Sequence, residues 1–308
     1  MAESAKSAVE NSRDGIVSAL IAYLMWGVLP VYFKLVQTVP SIEVLAHRVI
    51  WAVPFGALII IARKQGAEVW RAFRNPRMLA LLTLSAVMIA INWLIYIVAV
   101  QKGQIFQASL GYYINPLMYV IVGVFFLGER LRPFQLLAVL LATVGVAVLT
   151  LSGGTFPWIA VSLAVLFTVY GVIRKSVVIG GMSGLFVETL VLLPFAMSYW
   201  AWIGAQGQSA FVSGGSGMAG LLLLAGPLTV LPLLFFALAA RRLPLSLIGF
   251  LQFIAPTLQF LMGILYGETL TTAHLICFGL IWTAVAFFVI DAWRKTSDQA
   301  SDIAQNLE

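Results

Sequence analysis

The chain has 308 residues, of which 61% are hydrophobic and only 10% charged, and its formal net charge is +6. Soluble globular proteins carry about 25% charged residues, so this composition excludes a water-soluble domain and requires that most of the surface faces lipid. The positive charge does not indicate a nucleic-acid partner, because the basic residues are spread over short loops and terminal segments rather than gathered in one patch.

Ten apolar runs follow one another along the chain, each near the roughly 20 residues that a membrane-spanning helix needs. They lie at 16–35, 44–62, 78–99, 106–127, 133–152, 156–173, 184–203, 218–239, 245–266 and 271–292. The first run follows a mixed-charge segment and has no cleavage motif after it, so we interpret it as a retained helix. The predicted fold class is an all-α polytopic membrane protein with ten transmembrane helices.

The basic residues fall on alternate sides of these helices. Fifteen of the 18 lysines and arginines lie in the two terminal segments or in the loops after the second, fourth, sixth and eighth runs. Lys34 and Lys102 lie on the other side, and Arg48 lies inside the second run. The positive-inside rule therefore predicts that both termini are cytoplasmic.

The second half of the chain repeats the first at an offset of 140 residues. At this offset Pro54-Phe55 falls on Pro194-Phe195 and Pro116 on Pro256, and Gly128-Glu129 meets Gly267-Glu268 after one deletion. Five helices are an odd number, so the second half would enter the membrane from the opposite side, which gives two inverted five-helix repeats. The predicted divisions are a cytoplasmic tail 1–14, a first repeat 15–152, a second repeat 153–293 and a cytoplasmic tail 294–308.

Two proline-containing segments occupy related positions in the fourth and ninth runs. Pro116 and Pro256 each remove a backbone hydrogen bond and are expected to kink a gate helix. The polar residues around them could line a wet cavity or could join helices by hydrogen bonds; they are Tyr112, Tyr113, Asn115 and Gln252. The spacing Gly263-x-x-x-Gly267 is typical of close helix packing.

Further aromatic and amide residues lie well inside apolar runs. Trp26 and Tyr170 correspond in the repeat, and Asn92 and Tyr96 have the spacing of one helix face. With Trp93, Gln259 and the residues around the prolines, they are the candidates for a substrate cavity. An aromatic cavity suits an amphipathic or cationic organic molecule, although ordinary helix packing explains the same residues.

Three ionisable residues lie within spans, where a charge costs about 2.5–3.5 kcal/mol on the insertion scale. His47 and Arg48 are in the second run and Glu188 is in the seventh. The offset of 140 places Arg48 on Glu188. All three are candidates for ion coupling or substrate contact, and the alternative for Arg48 and Glu188 is that their charges extend to the membrane interface.

Several segments, in the expected order, resemble the RarD family of the drug/metabolite transporter superfamily, whose halves are called EamA domains. They are AHRVIW (46–51), NWLIYIVAV (92–100), SLGYYINPLMYVIVGVFFLGERL (109–131), ETLVLLP (188–194) and FLQFIAPTLQFLMG (250–263). The resemblance implies a bacterial inner-membrane carrier, with export as the expected direction and a central cavity between the halves. It implies a small-molecule substrate without naming it.

The expected function is a secondary-active carrier that moves a small organic solute or drug-like metabolite by alternating access. A passive facilitator or channel is the main alternative, and a scaffold, a receptor or an intramembrane enzyme has less support. We expect no catalytic residues, no cofactor and no metal, since the sequence has no Walker motif and only two, widely separated histidines. Membrane lipids are the other expected partner, and a monomer and a homodimer both stay open.

Overall fold

A computed structural model describes residues 2–127, 133–153, 156–243 and 245–305, and every regular element within these ranges is a helix. The helices are α1 Ala2–Gly27, α2 Leu29–Leu35, α3 Ser41–Ala62, α4 Gly66–Arg74, α5 Pro76–Gln101, α6 Ile105–Leu127, α7 Pro133–Gly153, α8 Trp158–Ser176, α9 Gly181–Ala205, α10 Ala210–Ser213, α11 Gly215–Ala240, α12 Leu245–Leu251, α13 Ile254–Leu265 and α14 Thr272–Gln305. Gly128-Glu129, the first of the two Gly-Glu pairs, lies outside the described residues.

The apolar helices have the lengths that a bilayer requires. Within the described part of the chain, nine helical segments are long and apolar enough to span a membrane. At the tenth predicted run, Thr272–Phe287 forms a shorter apolar helix. The prediction of an all-α multi-pass membrane protein is confirmed, while the ten-helix inverted repeat stays a prediction.

Two of the predicted single spans are interrupted. The first is broken at Val28, between α1 and α2, with Pro30 near the start of α2. The ninth is broken at Gln252 and Phe253, one turn before Pro256. A proline ring clashes with the carbonyl four residues earlier, so the break falls on the N-terminal side of the proline. Pro116, in contrast, lies inside the continuous helix α6.

Two short helices, α4 and α10, lie in loops where the sequence pattern predicted none. In α4 the apolar side buries Val69 and Ala72, whereas Arg71 is exposed to solvent. This apolar side packs against α9 and α5. An amphipathic helix of this kind covers the ends of neighbouring spans rather than crossing the bilayer.

Two carboxylates cap the N-termini of helices from distant segments. Glu68 of α4 accepts hydrogen bonds from the Gly180 N–H, at 2.7 Å, and from the Ser183 hydroxyl at the start of α9. Glu268, of the second Gly-Glu pair, accepts from the Ile105 N–H and, at 2.9 Å, from the Phe106 N–H at the start of α6. Carboxylates at these positions satisfy free N–H groups and stabilise the positive end of the helix dipole.

Helices from the two halves of the chain pack directly against each other. Helix α3 packs against α9 and α11, α1 packs against α11 and α13, and α6 packs against α8 and α13. Helix α7 packs mainly against α14. The interior of the bundle is therefore built from residues of both halves.

The predicted glycine packing is confirmed at one of its two positions. A Cβ atom on Gly263 would lie 2.7 Å from the Phe106 ring, so only glycine allows α13 to approach α6 this closely. Gly267 has a φ of +76° and no atom within 4 Å of such a Cβ, so it serves a turn rather than a helix contact.

Candidate functional site

Arg48 is buried in the interior between the two halves. Its side chain projects from α3, and the residue is 6% exposed. The guanidinium lies over the Trp93 ring of α5, with its carbon 4.1 Å from the ring centroid, and its Nε donates a hydrogen bond of 2.8 Å to the Thr229 hydroxyl of α11. The sequence left open whether the Arg48 charge is buried or extends to the membrane interface. In the structure the Arg48 side chain is buried within the bundle.

Glu188 occupies the corresponding position in α9 and is fully buried. Its carboxylate accepts hydrogen bonds from the Ser85 hydroxyl at 2.5 Å and from the Tyr170 hydroxyl at 3.4 Å. The Nε of Arg174, near the end of α8, lies 3.6 Å from Glu188 Oε1. The negative charge of Glu188 is therefore paired inside the protein.

Arg48 and Glu188 each form a hydrogen bond with a hydroxyl group on a neighbouring helix. Arg48 in α3 bonds to a threonine of α11, and Glu188 in α9 bonds to a serine of α5. Helices α3 and α9 correspond in the predicted repeat, as do α5 and α11. The same helix pairing therefore holds a cation in one case and an anion in the other.

A continuous series of aromatic rings joins the surroundings of Arg48 to those of Glu188. Successive ring centroids are 5.6 to 6.0 Å apart, and the rings belong to Phe33, Tyr96, Tyr112, Phe167 and Tyr170. Rings at these distances make favourable edge and offset contacts. The series presents apolar faces and several hydroxyl groups in one region.

Asn92 fixes one side of this aromatic series. Its side-chain amide donates to the Leu163 carbonyl of α8 at 3.0 Å, and its oxygen accepts from the Tyr112 hydroxyl at 3.3 Å. Asn92 therefore joins α5, α6 and α8 as well as positioning Tyr112. The hydroxyl of Tyr96, one turn further along α5, is buried and has no hydrogen-bond partner among the described residues.

His47, although next to Arg48 in sequence, belongs to a separate group. Its ring stacks on Phe211 with a centroid distance of 4.9 Å, and its Nδ1 accepts a hydrogen bond of 3.1 Å from the Trp51 indole. Its Nε2 lies 3.9 Å from Glu43 Oε1. Glu43 is itself fully buried and accepts a hydrogen bond of 3.1 Å from the Ser209 hydroxyl.

Of the remaining candidates near the prolines, Tyr113 forms a helix-to-helix contact, whereas none is found for the Asn115 oxygen. The Tyr113 hydroxyl is 2.6 Å from the Thr257 hydroxyl, and the Ser109 hydroxyl donates to the Pro256 carbonyl at 2.7 Å. Asn115 is buried, and its side-chain oxygen has no partner among the described residues. Gln252 lies at the break between α12 and α13.

Trp26 and Gln259 meet where α1 packs against α13, and Trp26 also packs against the hydrophobic cluster that contains Phe33 and Tyr96. The Gln259 amide donates to the Trp26 carbonyl at 3.2 Å, and the Trp26 ring contacts Tyr23 and Phe236. The structure thus brings together Asn92, Trp93, Tyr96, Tyr112 and Tyr170 with Arg48 and Glu188, and it places the other predicted residues elsewhere.

Several residues of this region were not singled out from the sequence. Arg174 lies where the positive-inside pattern assigned it to a loop, but α8 continues to Ser176 and the side chain reaches Glu188. Ser85 and Thr229 are small hydroxyl residues in apolar runs, which give no charge signal. Their only sequence signal comes from the predicted repeat, in which the helix of Ser85, α5, corresponds to the helix of Thr229, α11.

A defined cavity lies outside this region. No group of three or more histidine, cysteine or acidic side chains is placed to hold a metal within the described ranges. A cavity of about 370 Å³ lies instead at the ends of α5 and α13, beside Phe106, Glu268 and His274. Glu188 is fully buried, and Arg48 is 6% exposed.

Known transporters are similar to this chain. Residues 13–151 match the EamA-like transporter family. An uncharacterized transporter of Pseudomonas aeruginosa is 43% identical over 94% of this chain and 97% of its own length. Protein RarD of Escherichia coli is 42% identical over 94% of this chain and 99% of its own.

A more distant relative and a solved structure extend the comparison. The chloramphenicol-sensitive protein RarD of Pseudomonas aeruginosa is 33% identical over 94% of this chain and 98% of its own. A crystal structure of a protein only 20% identical in sequence superposes with a TM-score of 0.58, covering 90% of this chain and 98% of that one. At this identity the superposition shows a shared fold alone.

Proposed function

Because the chain belongs to the EamA-like transporter family and to its RarD group, we propose that it is a secondary-active carrier for a small organic solute. In this proposal two inverted five-helix repeats expose a central site alternately to each side of a bacterial inner membrane, with both termini in the cytoplasm. The observation that carries the proposal is the closed group of Arg48, Glu188 and the aromatic rings between them, which is built from both halves of the chain.

The proposed mechanism follows from this placement. A site enclosed by side chains of both halves can be opened to one face only when the halves move relative to each other. Such movement exchanges access without forming a continuous pore. A channel, in contrast, would need a conformation open to both faces at once.

Export is the direction that we propose, by analogy with the drug/metabolite carriers that the chain resembles. Overproduction should then lower the intracellular level of the substrate, and deletion should raise it. Comparing the metabolites retained by such cells would identify candidate substrates. We include chloramphenicol among the compounds tested, since the name of one relative refers to this drug.

Reconstituted transport distinguishes a carrier from a channel. In proteoliposomes with a candidate substrate, we expect the initial flux to saturate, and an unlabelled substrate inside the vesicles to accelerate entry of the labelled substrate. This counterflow arises because the loaded site returns across the membrane. A flux that rises linearly with concentration and shows no counterflow would identify a facilitator or channel instead.

A further inference from the structure

Arg48 differs from the other charges in the candidate site because no acidic side chain in the described part of the chain pairs with it. A guanidinium has five N–H donors, and only the Arg48 Nε has an acceptor among the described residues, the Thr229 hydroxyl. No carboxylate of the described chain lies within ion-pairing distance of Arg48. The corresponding residue Glu188, in contrast, is paired with Arg174.

An unneutralised charge at this depth calls for an anion that the chain itself does not supply. Burying an ion without a partner opposes folding, and such residues in membrane helices mark ligand or ion sites. The planar guanidinium matches the geometry of a carboxylate, to which it can donate two parallel hydrogen bonds. The free N–H groups of Arg48 are therefore suited to a carboxylate from outside the protein.

Tyr96 provides a second donor in the same region. Its ring contacts the Phe33 ring at a centroid distance of 5.8 Å, and the Arg48 guanidinium lies over the same Phe33 ring at 5.9 Å. The Tyr96 hydroxyl is buried, 4% exposed as a residue, and has no hydrogen-bond partner within the described ranges. A buried hydroxyl without a partner is uncommon unless a ligand satisfies it.

The aromatic rings around Arg48 define the rest of the ligand. The face of Trp93 is already covered by the Arg48 guanidinium at 4.1 Å, so a cationic substrate would meet both an occupied ring and a like charge. The Phe33 ring, over which the guanidinium lies, is followed by the Tyr96 and Tyr112 rings, which give the surroundings of Arg48 apolar surfaces. These surfaces suit a hydrocarbon or aromatic body attached to the acid.

We propose that the substrate is an organic carboxylate with an apolar or aromatic body, and that Arg48 and the Tyr96 hydroxyl bind its carboxylate. This proposal rests on the proposed carrier function for its biological meaning. Binding of the acid, however, can be measured without any transport.

The test uses thermal unfolding of the purified full chain in detergent, because a ligand that binds the folded state raises Tm. The probes are benzoate, phenylacetate, indole-3-acetate and hexanoate, each compared with its primary amide at the same concentration. We expect at least one acid to raise Tm of the unaltered protein and its amide to give little or no shift. The amide keeps the shape of the acid and removes the charge.

Substitutions at the two donors make the assignment specific. Arg48→Gln should weaken binding of that acid by roughly 10- to 100-fold, the value of charge-assisted hydrogen bonds, and Arg48→Lys should retain part of it. Tyr96→Phe should weaken binding severalfold while leaving Tm without ligand unchanged or higher, because it removes a hydroxyl that has no partner. Arg71→Gln, which removes an exposed cation from α4, should leave acid binding unchanged.

The outcomes separate this proposal from the carrier function. Equal shifts by acids and amides, no shift by any of the acids, or full binding by Arg48→Gln would each overturn the carboxylate site. Saturable flux of a neutral or cationic solute would overturn it too, while supporting the carrier. Acid binding that depends on Arg48, with no flux of that acid, would keep the site and contradict the carrier.

Discussion

Glu188 is the residue of the site that is best placed to carry a proton. Its carboxylate is held by one cation and two hydroxyl groups, and the two hydroxyl groups can also hydrogen-bond to a protonated acid. Arg174 is near the end of α8, and its side chain is 13% exposed, so it could turn toward water when Glu188 loses its charge. Coupling of transport to a proton gradient is thus a hypothesis that these contacts support.

Substituting Glu188 by glutamine tests this coupling. Glutamine keeps the size of the side chain and can still accept the Ser85 hydrogen bond, but it cannot exchange a proton. In proteoliposomes we expect Glu188→Gln to abolish accumulation driven by a pH gradient and to retain exchange of labelled for unlabelled substrate.

Glu188→Asp is the matched control, since it shortens the side chain and keeps a titratable carboxyl group. It should retain some accumulation. Gradient-driven accumulation by Glu188→Gln would contradict the role of Glu188. His47, which lies 3.9 Å from the carboxylate of Glu43, would then be the next residue to test.

Some of these residues could be found from the sequence, for a definite reason. Arg48 and Glu188 were detected because an ionised group within an apolar run is costly and therefore rare. Their partners Ser85 and Thr229 were not detected, because a serine or threonine hydroxyl in a membrane helix usually bonds to its own backbone and gives no signal. Glu43 lies just before the second apolar run, so the sequence gives no sign that it is buried; in the structure the Ser209 hydroxyl and the Phe211 N–H donate to it.

At the scale of the helices, the break between α12 and α13 is the best candidate for a hinge. The two segments are joined by Gln252 and Phe253, and α13 contacts α6 through the Pro256 carbonyl, which accepts a hydrogen bond from the Ser109 hydroxyl. A discontinuous helix can change the angle between its segments with little change in packing elsewhere. The corresponding proline in α6 produces no break.

Pro256→Ala is expected to slow transport, because alanine restores an N–H that can bond to the Gln252 carbonyl and complete one helix. Proline disfavours a continuous helix by about 3 kcal/mol. A tenfold loss of flux corresponds to about 1.4 kcal/mol, so a loss of about tenfold or more is within the range of this effect. Initial flux at equal amounts of inserted protein is the measurement.

Pro116→Ala serves as the paired control and should have the smaller effect, since α6 is already continuous at that position. Flux that is unchanged in Pro256→Ala, or reduced more by Pro116→Ala, would contradict a hinge between α12 and α13.

The apolar runs predicted the helices well because each must be long enough to cross the lipid. The same method missed α4 and α10, since short amphipathic helices have too few apolar residues to stand out. It also missed the exact positions of the breaks. A proline indicates where a helix is weakened, but the neighbouring helices determine where the chain bends.

At the scale of the whole molecule, the distribution of charge predicts the orientation in the membrane. Fifteen of the 18 basic residues fall on one predicted side. A reporter domain fused after Leu243 should therefore be cytoplasmic, and one inserted within 205–217 should be external. Protection of each reporter from added protease in intact cells would show its side. The opposite result at either position would contradict the proposed topology.

In the predicted repeat, Glu43 and Glu68 make corresponding contacts of the two halves chemically different. At the offset of 140, Glu43 corresponds to Ser183; Glu43 accepts a hydrogen bond from Ser209, and Ser183 donates one to Glu68. In a chain made from two copies of the first half, Glu43 would lie beside a second copy of α4. The hydrogen-bonding group of α4 is the Glu68 carboxylate, so two carboxylates would face each other. Two acids would then repel each other at both faces. If the predicted repeat holds, the two halves are complementary rather than interchangeable, and exchanging one for the other requires paired changes at these positions.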